Sequence, residues 1–131
     1  MLLSRLYSYF FKCPMIAVAT IIMGSLSLLS SLFDGTGRIQ HMFACAWGRM
    51  LLWIGHVRVT VEGAEHLAAP GCYVLTPNHL SYMDTPVLLG NLPVPFRFLA
   101  KKSLFKVPFM GYHLFRAGHI AVPLGETRES A

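Results

Sequence analysis

Acidic side chains are scarce in this chain. Asp and Glu number six against eleven Lys and Arg, and between Glu65 and Glu126 the only acid is Asp84. The stretch after it carries Arg97, Lys101, Lys102, Lys106 and Arg116. A net charge of +5 favours anionic lipid surfaces or phosphate-bearing substrates. Nucleic acid is not the expected partner, because these bases lie among Phe, Leu and Val rather than along a polar stripe. Cysteine is scarce too: Cys13, Cys45 and Cys72 are odd in number and lack metal-ligand spacing. That excludes a disulfide framework and a cysteine metal centre, and suits packing residues in a reducing compartment. Charged residues are only 13% against 54% hydrophobic, which excludes a disordered chain and exceeds the apolar content of an ordinary soluble domain. With 131 residues there is little room for two domains, and no repeat or low-complexity segment appears.

What is abundant is apolar sequence near the N-terminus. Residues 15–33 hold no charge, and as a helix they would reach roughly 28 Å, close to a bilayer's hydrocarbon thickness. Gly24, Thr20 and the serines at 25, 27, 30 and 31 weaken this run, so a shallow or half-inserted helix competes with a span. A cleaved signal peptide fits Arg5 and Lys12, but no clear small-x-small site ends the run before Asp34, so an uncleaved anchor is expected. The basic residues ahead of the run place the N-terminus in the cytoplasm.

Asp34-Gly-Thr-Gly37 is a turn signal, and residues 38–55 resume helical spacing with Gly55 as the stop. The two helices are expected to form a hairpin. Trp47, Trp53, Arg38 and Arg49 on the second suit a membrane interface or, equally, a face packed on a soluble domain. From Val57 the apolar period becomes two, predicting a half-buried strand over 57–62 that ends at Gly63. Pro70-Gly71 marks a turn before a buried strand over 72–76. A helix is predicted over 84–91, with Pro86 tolerable in its first turn. A strand over 96–100, a helical stretch over 102–115 interrupted at Pro108, and a strand over 119–122 complete the order. The expected fold is α/β, with a mostly parallel sheet and flanking helices, preceded by a membrane-associated helical hairpin at 1–55.

Between a predicted strand and a predicted helix stands Pro77-Asn-His-Leu-Ser-Tyr-Met-Asp-Thr85, where α/β folds collect functional groups. On a continuous helix His79 and Asp84 would sit about 140° apart, so they meet only across a turn. If they meet, Asp84 accepts from one ring nitrogen and fixes the tautomer, leaving the other to act as general base. The base would serve a substrate hydroxyl, because Ser81 is too close in sequence to share it as a triad nucleophile. The bland alternative is that Asp84 caps the following helix and His79 is a hydrogen-bonded loop residue.

Asn78-His79-Leu80-Ser81-Tyr82-Met83-Asp84 resembles the N-H-x-x-x-x-D motif of the glycerophosphate and lysophospholipid acyltransferase family. The surroundings are similar to its bacterial 1-acylglycerol-3-phosphate acyltransferases. Residues 101–111 are similar to that family's Lys-rich segment ending in a Pro-aromatic-x-Gly step, and residues 118–122 occupy the place of its next strand. The resemblance covers 57–131, and the hairpin is similar to a two-helix membrane motif of some members. It implies acyl transfer from acyl-CoA or acyl-carrier protein to the free hydroxyl of lysophosphatidate, giving phosphatidate, with no cofactor and no metal. His79 and Asp84 become the catalytic pair. Asn78 and Ser81 are expected substrate contacts, and Lys101 or Lys102 could draw in the acceptor phosphate, although a solvated or lipid-facing surface explains the lysines as well. Leu80, Tyr82 and Met83 are expected to pack or line an acyl path, and His113 and His119 to be packing or surface residues. The implied setting is the cytoplasmic face of the inner membrane, among membrane lipids. Another lysolipid acceptor, or a non-catalytic membrane lipid-binding protein, are the alternatives.

Two departures stand out. Where the family has Asp-Arg after its Gly-x-x-x-x strand, this chain has Pro123-Leu124, so the acceptor-phosphate arginine is missing or replaced by Arg128. The family's downstream F-P-E-G-T-R motif is also missing, since Gly125-Glu-Thr-Arg128 differs in order and position. Residues 56–131 are therefore read as the N-terminal part of an acyltransferase domain, truncated at its C-terminal side and incomplete as an enzyme.

Overall fold

The computed structural model describes residues 2–67 and 71–123. The N-terminal part is helical: α1 (Leu2–Tyr7), a π-helical segment (Ser8–Lys12) and α2 (Cys13–Ser30). The wider π turn ends two residues before Pro14, whose ring would crowd a regular preceding turn and whose nitrogen cannot donate. The stretch Arg5–Ser30 contains an 18-residue segment of mean hydropathy 1.9 and is long and apolar enough to cross a membrane. The predicted turn follows. Asp34 Oδ1 accepts from the Thr36 amide and hydroxyl at 2.8 and 2.6 Å, and its Oδ2 accepts from the Ile39 amide at 2.8 Å. Asp34 thus covers orphan donors at the start of α3 (Arg38–Gly55). These bonds, the Thr36 hydroxyl first, hold its carboxyl down at about 2.

α3 runs back along α2, as three pairs at successive levels attest. Gln40 Nε2 donates to the Asp34 carbonyl at 3.1 Å, Trp47 Nε1 to Thr20 Oγ1 at 3.0 Å, and Lys12 Nζ to the Gly55 carbonyl at 3.3 Å. Ala19, Leu51 and Ile54 form the buried cluster between them, flanked by Ile16, Trp47 and Met50. Gly55 is the last helical residue, but the left-handed stop is His56, at φ 58°.

The predicted helix at 84–91 is α4 (Asp84–Asn91), which packs on α3 with Pro86, Leu89 and Gly90 buried. Next come β1 (Leu99–Lys101), a 3-10 turn (Lys102–Lys106), α5 (Met110–Arg116) and β2 (Ile120–Val122). The strands pair in parallel, Leu99 with Ile120 and Lys101 with Val122, so α5 is the crossover of a small β-α-β unit. The predicted break at Pro108 is a γ-turn: Met110 N donates to the Pro108 carbonyl at 2.7 Å, with Phe109 forced to φ 62°.

The sheet is smaller than expected. Among the described residues it has two strands, and no strand forms at 57–62 or 72–76. Alternation encodes a face to be covered but not the neighbour that covers it. Val57, Val61, Val74 and Leu75 are exposed here, and among the described residues no neighbouring strand offers these stretches a ladder to join. Pro70 of the predicted turn lies outside the described residues, as do Leu124, Gly125 and Arg128.

α5 is tied to the end of α2. Ser27 Oγ and His113 Nδ1 are 3.2 Å apart, and Arg116 Nη2 donates to the Ser31 carbonyl. Beside this seam His119 Nδ1 accepts from the Phe98 amide at 3.0 Å, which requires a neutral ring. Burial, then the neighbouring His113, Arg97 and His41, push His119 down to about 4. The stabilising neutral form is intact above the ordinary histidine value and is undermined as pH falls from about 6.5 toward about 4, because the unfolded chain takes up a proton that the folded chain refuses. After discounting for its partial exposure, the loss is about 1–2 kcal/mol. Thermal unfolding in detergent at pH 7 and pH 4.5 should show it. His119→Asn, which keeps an acceptor for Phe98, should flatten that difference; an unflattened one would assign the acid sensitivity elsewhere.

Candidate active site

The loop before α4 turns back on itself around one carboxylate oxygen. Asp84 Oδ2 accepts from the Leu80 amide at 2.7 Å and the Ser81 amide at 2.8 Å, and lies 3.0 Å from His79 Nδ1. The turn is tightened by the Asp84 amide, which donates to the Ser81 carbonyl at 3.1 Å, and by the Met83 amide, which donates to Ser81 Oγ at 3.1 Å. These contacts close the 140° gap that a continuous helix would leave. The carboxylate faces the loop behind it, so its hydrogen bonds go to residues 79–81 and not to the amides of α4.

The electrostatics follow from the donors. Backbone amides can only donate, and those of Ser81 and then Leu80, followed by the His79 ring, hold the Asp84 carboxyl below the usual carboxylate range. An ionised oxygen can only accept, so the proton between Asp84 and His79 resides on Nδ1. Nε2 is then the nitrogen with the free lone pair. His79 is 68% exposed at its side chain against 29% for Asp84, so the carboxylate is sheltered and the ring faces outward. His79, Leu80, Ser81 and Tyr82 line an open hollow. Leu80 and Tyr82 are 92% and 98% exposed, presenting apolar surface beside the ring.

The structure therefore brings together His79, Asp84 and the backbone of Ser81. Asn78 is exposed next to them. Lys101 ends β1 and Lys102 opens the following turn; both are exposed, and among the described residues neither side chain makes an ion pair or hydrogen bond to the His79 loop. Met83 is half-buried, with its Cε methyl near Gly55 at the end of α3. His113 pairs with Ser27 of α2 and His119 with the Phe98 amide, so their ring nitrogens Nδ1 are engaged outside this loop. No group of three metal-ligating side chains occurs among the described residues. The two backbone donors were not legible in the sequence, because every residue but proline carries one.

Comparison with known proteins places this loop in a family. The Acyltransferase family pattern matches residues 58–130. Over 94 residues the chain is 28% identical to a 1-acyl-sn-glycerol-3-phosphate acyltransferase of Borreliella burgdorferi, covering 72% of this chain and 38% of the relative. Over 129 residues it is 30% identical to the chloroplastic 1-acyl-sn-glycerol-3-phosphate acyltransferase LPAT1 of Arabidopsis thaliana, covering 92% and 34%. A Chlamydomonas reinhardtii protein of the same name is 36% identical over 66 residues, 50% and 20% of the two chains. No solved structure matches. The chain thus spans only about a third of the length of such relatives. With more than half of its residues inside the matching pattern, it belongs to the acyltransferase family.

Proposed function

We propose that this chain carries the proton-transfer half of an enzyme that moves a fatty acyl group from acyl-CoA or acyl-carrier protein to the free hydroxyl of lysophosphatidate. One observation carries the reading: an imidazole fixed by a carboxylate at 3.0 Å, with its other nitrogen open to a surface hollow, in a chain of this family. In the step it supports, His79 Nε2 takes the hydroxyl proton as the oxygen attacks the thioester carbonyl. The tetrahedral centre then expels the thiolate, the C–S bond breaks, and the imidazolium returns its proton to sulfur. Asp84 keeps the ring in the right tautomer and offsets the transient imidazolium charge. Asn78 and Ser81 would orient the acceptor, with the Ser81 hydroxyl proton still free to donate. Lys101 and Lys102 would attract the phosphate as it arrives. The relatives' shared name supports lysophosphatidate as acceptor. The assay is phosphatidate formation from either thioester. Lysophosphatidate should be preferred to lysophosphatidylcholine by tenfold or more, about the value of one charge-assisted contact; equal rates would contradict the acceptor assignment.

Residues 1–55 would hold the protein at the cytoplasmic face of the inner membrane, and residues 56–131 would form the N-terminal part of the catalytic domain. Val18, Ile21, Ile22, Leu26 and Leu29 of α2 are exposed apolar residues, which supports a lipid-facing side. The other side is covered along its length, from Lys12 against Gly55 to Ser31 against Arg116, and that favours a seat in one leaflet over a full span. Fractionation tests this: the protein should stay with membranes at low and high salt and leave only with detergent. Recovery in the soluble fraction at low salt would remove the anchor.

A further inference from the structure

The helix that carries Asp84 sits on α3 more closely than side chains would allow. A Cβ on Gly48 would stand 2.8 Å from the Pro86 carbonyl oxygen and 3.1 Å from the Gly90 amide nitrogen. A Cβ on Gly90 would stand 3.2 Å from the Arg49 amide nitrogen and 3.3 Å from Leu52 Cδ1. Three of these four neighbours are backbone atoms, which cannot swing aside as a flexible side chain can. Arg49 Nε also donates to the Gly90 carbonyl at 2.9 Å, at the end of α4 where carbonyls lack partners within the helix. Both the first turn of α4, through Pro86, and its last, through Gly90, are therefore referenced to the α3 backbone. Glycine is costly inside a helix, so two helical glycines facing each other need a packing reason, and this contact supplies it.

We infer that Gly48, Gly90 and Arg49 are positioning residues for the His79–Asp84 pair, setting the height and rotation of α4 and hence where the carboxylate meets the ring. The inference rests on the proposed role of that pair. Asp84 lies two residues before Pro86, so a displacement forced at Pro86 is delivered to the 3.0 Å contact with His79. Because α3 also packs on the apolar α2, the pair takes its reference from the anchoring helices.

Three alanine variants in detergent test this, read by the ring resonances of 15N-histidine-labelled protein and by kcat and KM for acyl transfer of the whole enzyme of which this chain is proposed to be part. Gly24→Ala is the control, since a Cβ there meets nothing within 4 Å while the gain in helix propensity is the same. Gly48→Ala should shift the His79 ring signals and lower kcat by roughly tenfold or more at little-changed KM, as a displacement well under an ångström at the reacting groups requires. Gly90→Ala should do the same more weakly. A Gly48→Ala protein whose ring signals and kcat both match Gly24→Ala would overturn the inference. Should Gly48→Ala fail to fold, Arg49→Gln decides, since it removes the bond to Gly90 without introducing a clash: shifted His79 signals support the seat, and unshifted ones overturn it. Ring signals that move while kcat holds would leave the seat standing and remove the catalytic role of the pair.

Discussion

Asp84→Asn is expected to lower acyl transfer by roughly 10²-fold or more while the loop stays folded. The amide oxygen of asparagine can still accept from the Leu80 and Ser81 amides, which lie 2.7 and 2.8 Å from Asp84 Oδ2. What it lacks is charge. In the proposed step the ionised oxygen would fix the proton on His79 Nδ1 and stabilise the imidazolium formed as Nε2 accepts the hydroxyl proton; a neutral amide would do the first weakly and the second hardly at all. The loss should appear in kcat, because the charge matters most once the ring is protonated. Asp84→Ala should lose at least as much and also loosen the turn, since two amides lose their acceptor. Comparing the two variants by kcat and by thermal unfolding separates the electrostatic part from the structural part. An Asp84→Asn protein with unchanged kcat would leave the carboxylate as a turn-forming group alone.

How much of this was legible depended on whether the information was local. α3 and α4 were predicted at their observed bounds because apolar spacing, a turn at Asp34 and a proline placed in a first turn all act within a few residues. β1 and β2 were found to within three residues at either end for the same reason. The pairing of His79 with Asp84 was legible only as a condition, since a spacing of five separates the two on a helix. What closes the gap is the turn that the Leu80 and Ser81 amides make around Asp84. The strands expected at 57–62 and 72–76 failed for a different reason: alternation in Val57, Val59 and Val61 specifies a face, and a face becomes a strand only beside a partner. The seat of α4 on Gly48 left no local mark except glycine in a helix interior, because close approach between distant segments is a property of the fold.

The central claim is that His79 is the general base of acyl transfer. It is tested most directly by measuring phosphatidate formation from acyl-CoA or acyl-carrier protein and lysophosphatidate in membranes carrying the whole enzyme of which this chain is proposed to be part, or its His79→Ala variant, at matched abundance. Removing a positioned base typically costs 10²–10⁴-fold, and the Asp84 turn should survive, because Leu80 and Ser81 still donate to it. The predicted result is a variant that remains with the membrane and loses transfer by at least roughly 10²-fold at every pH. Transfer at the unsubstituted rate by the membrane-bound His79→Ala protein would contradict the account.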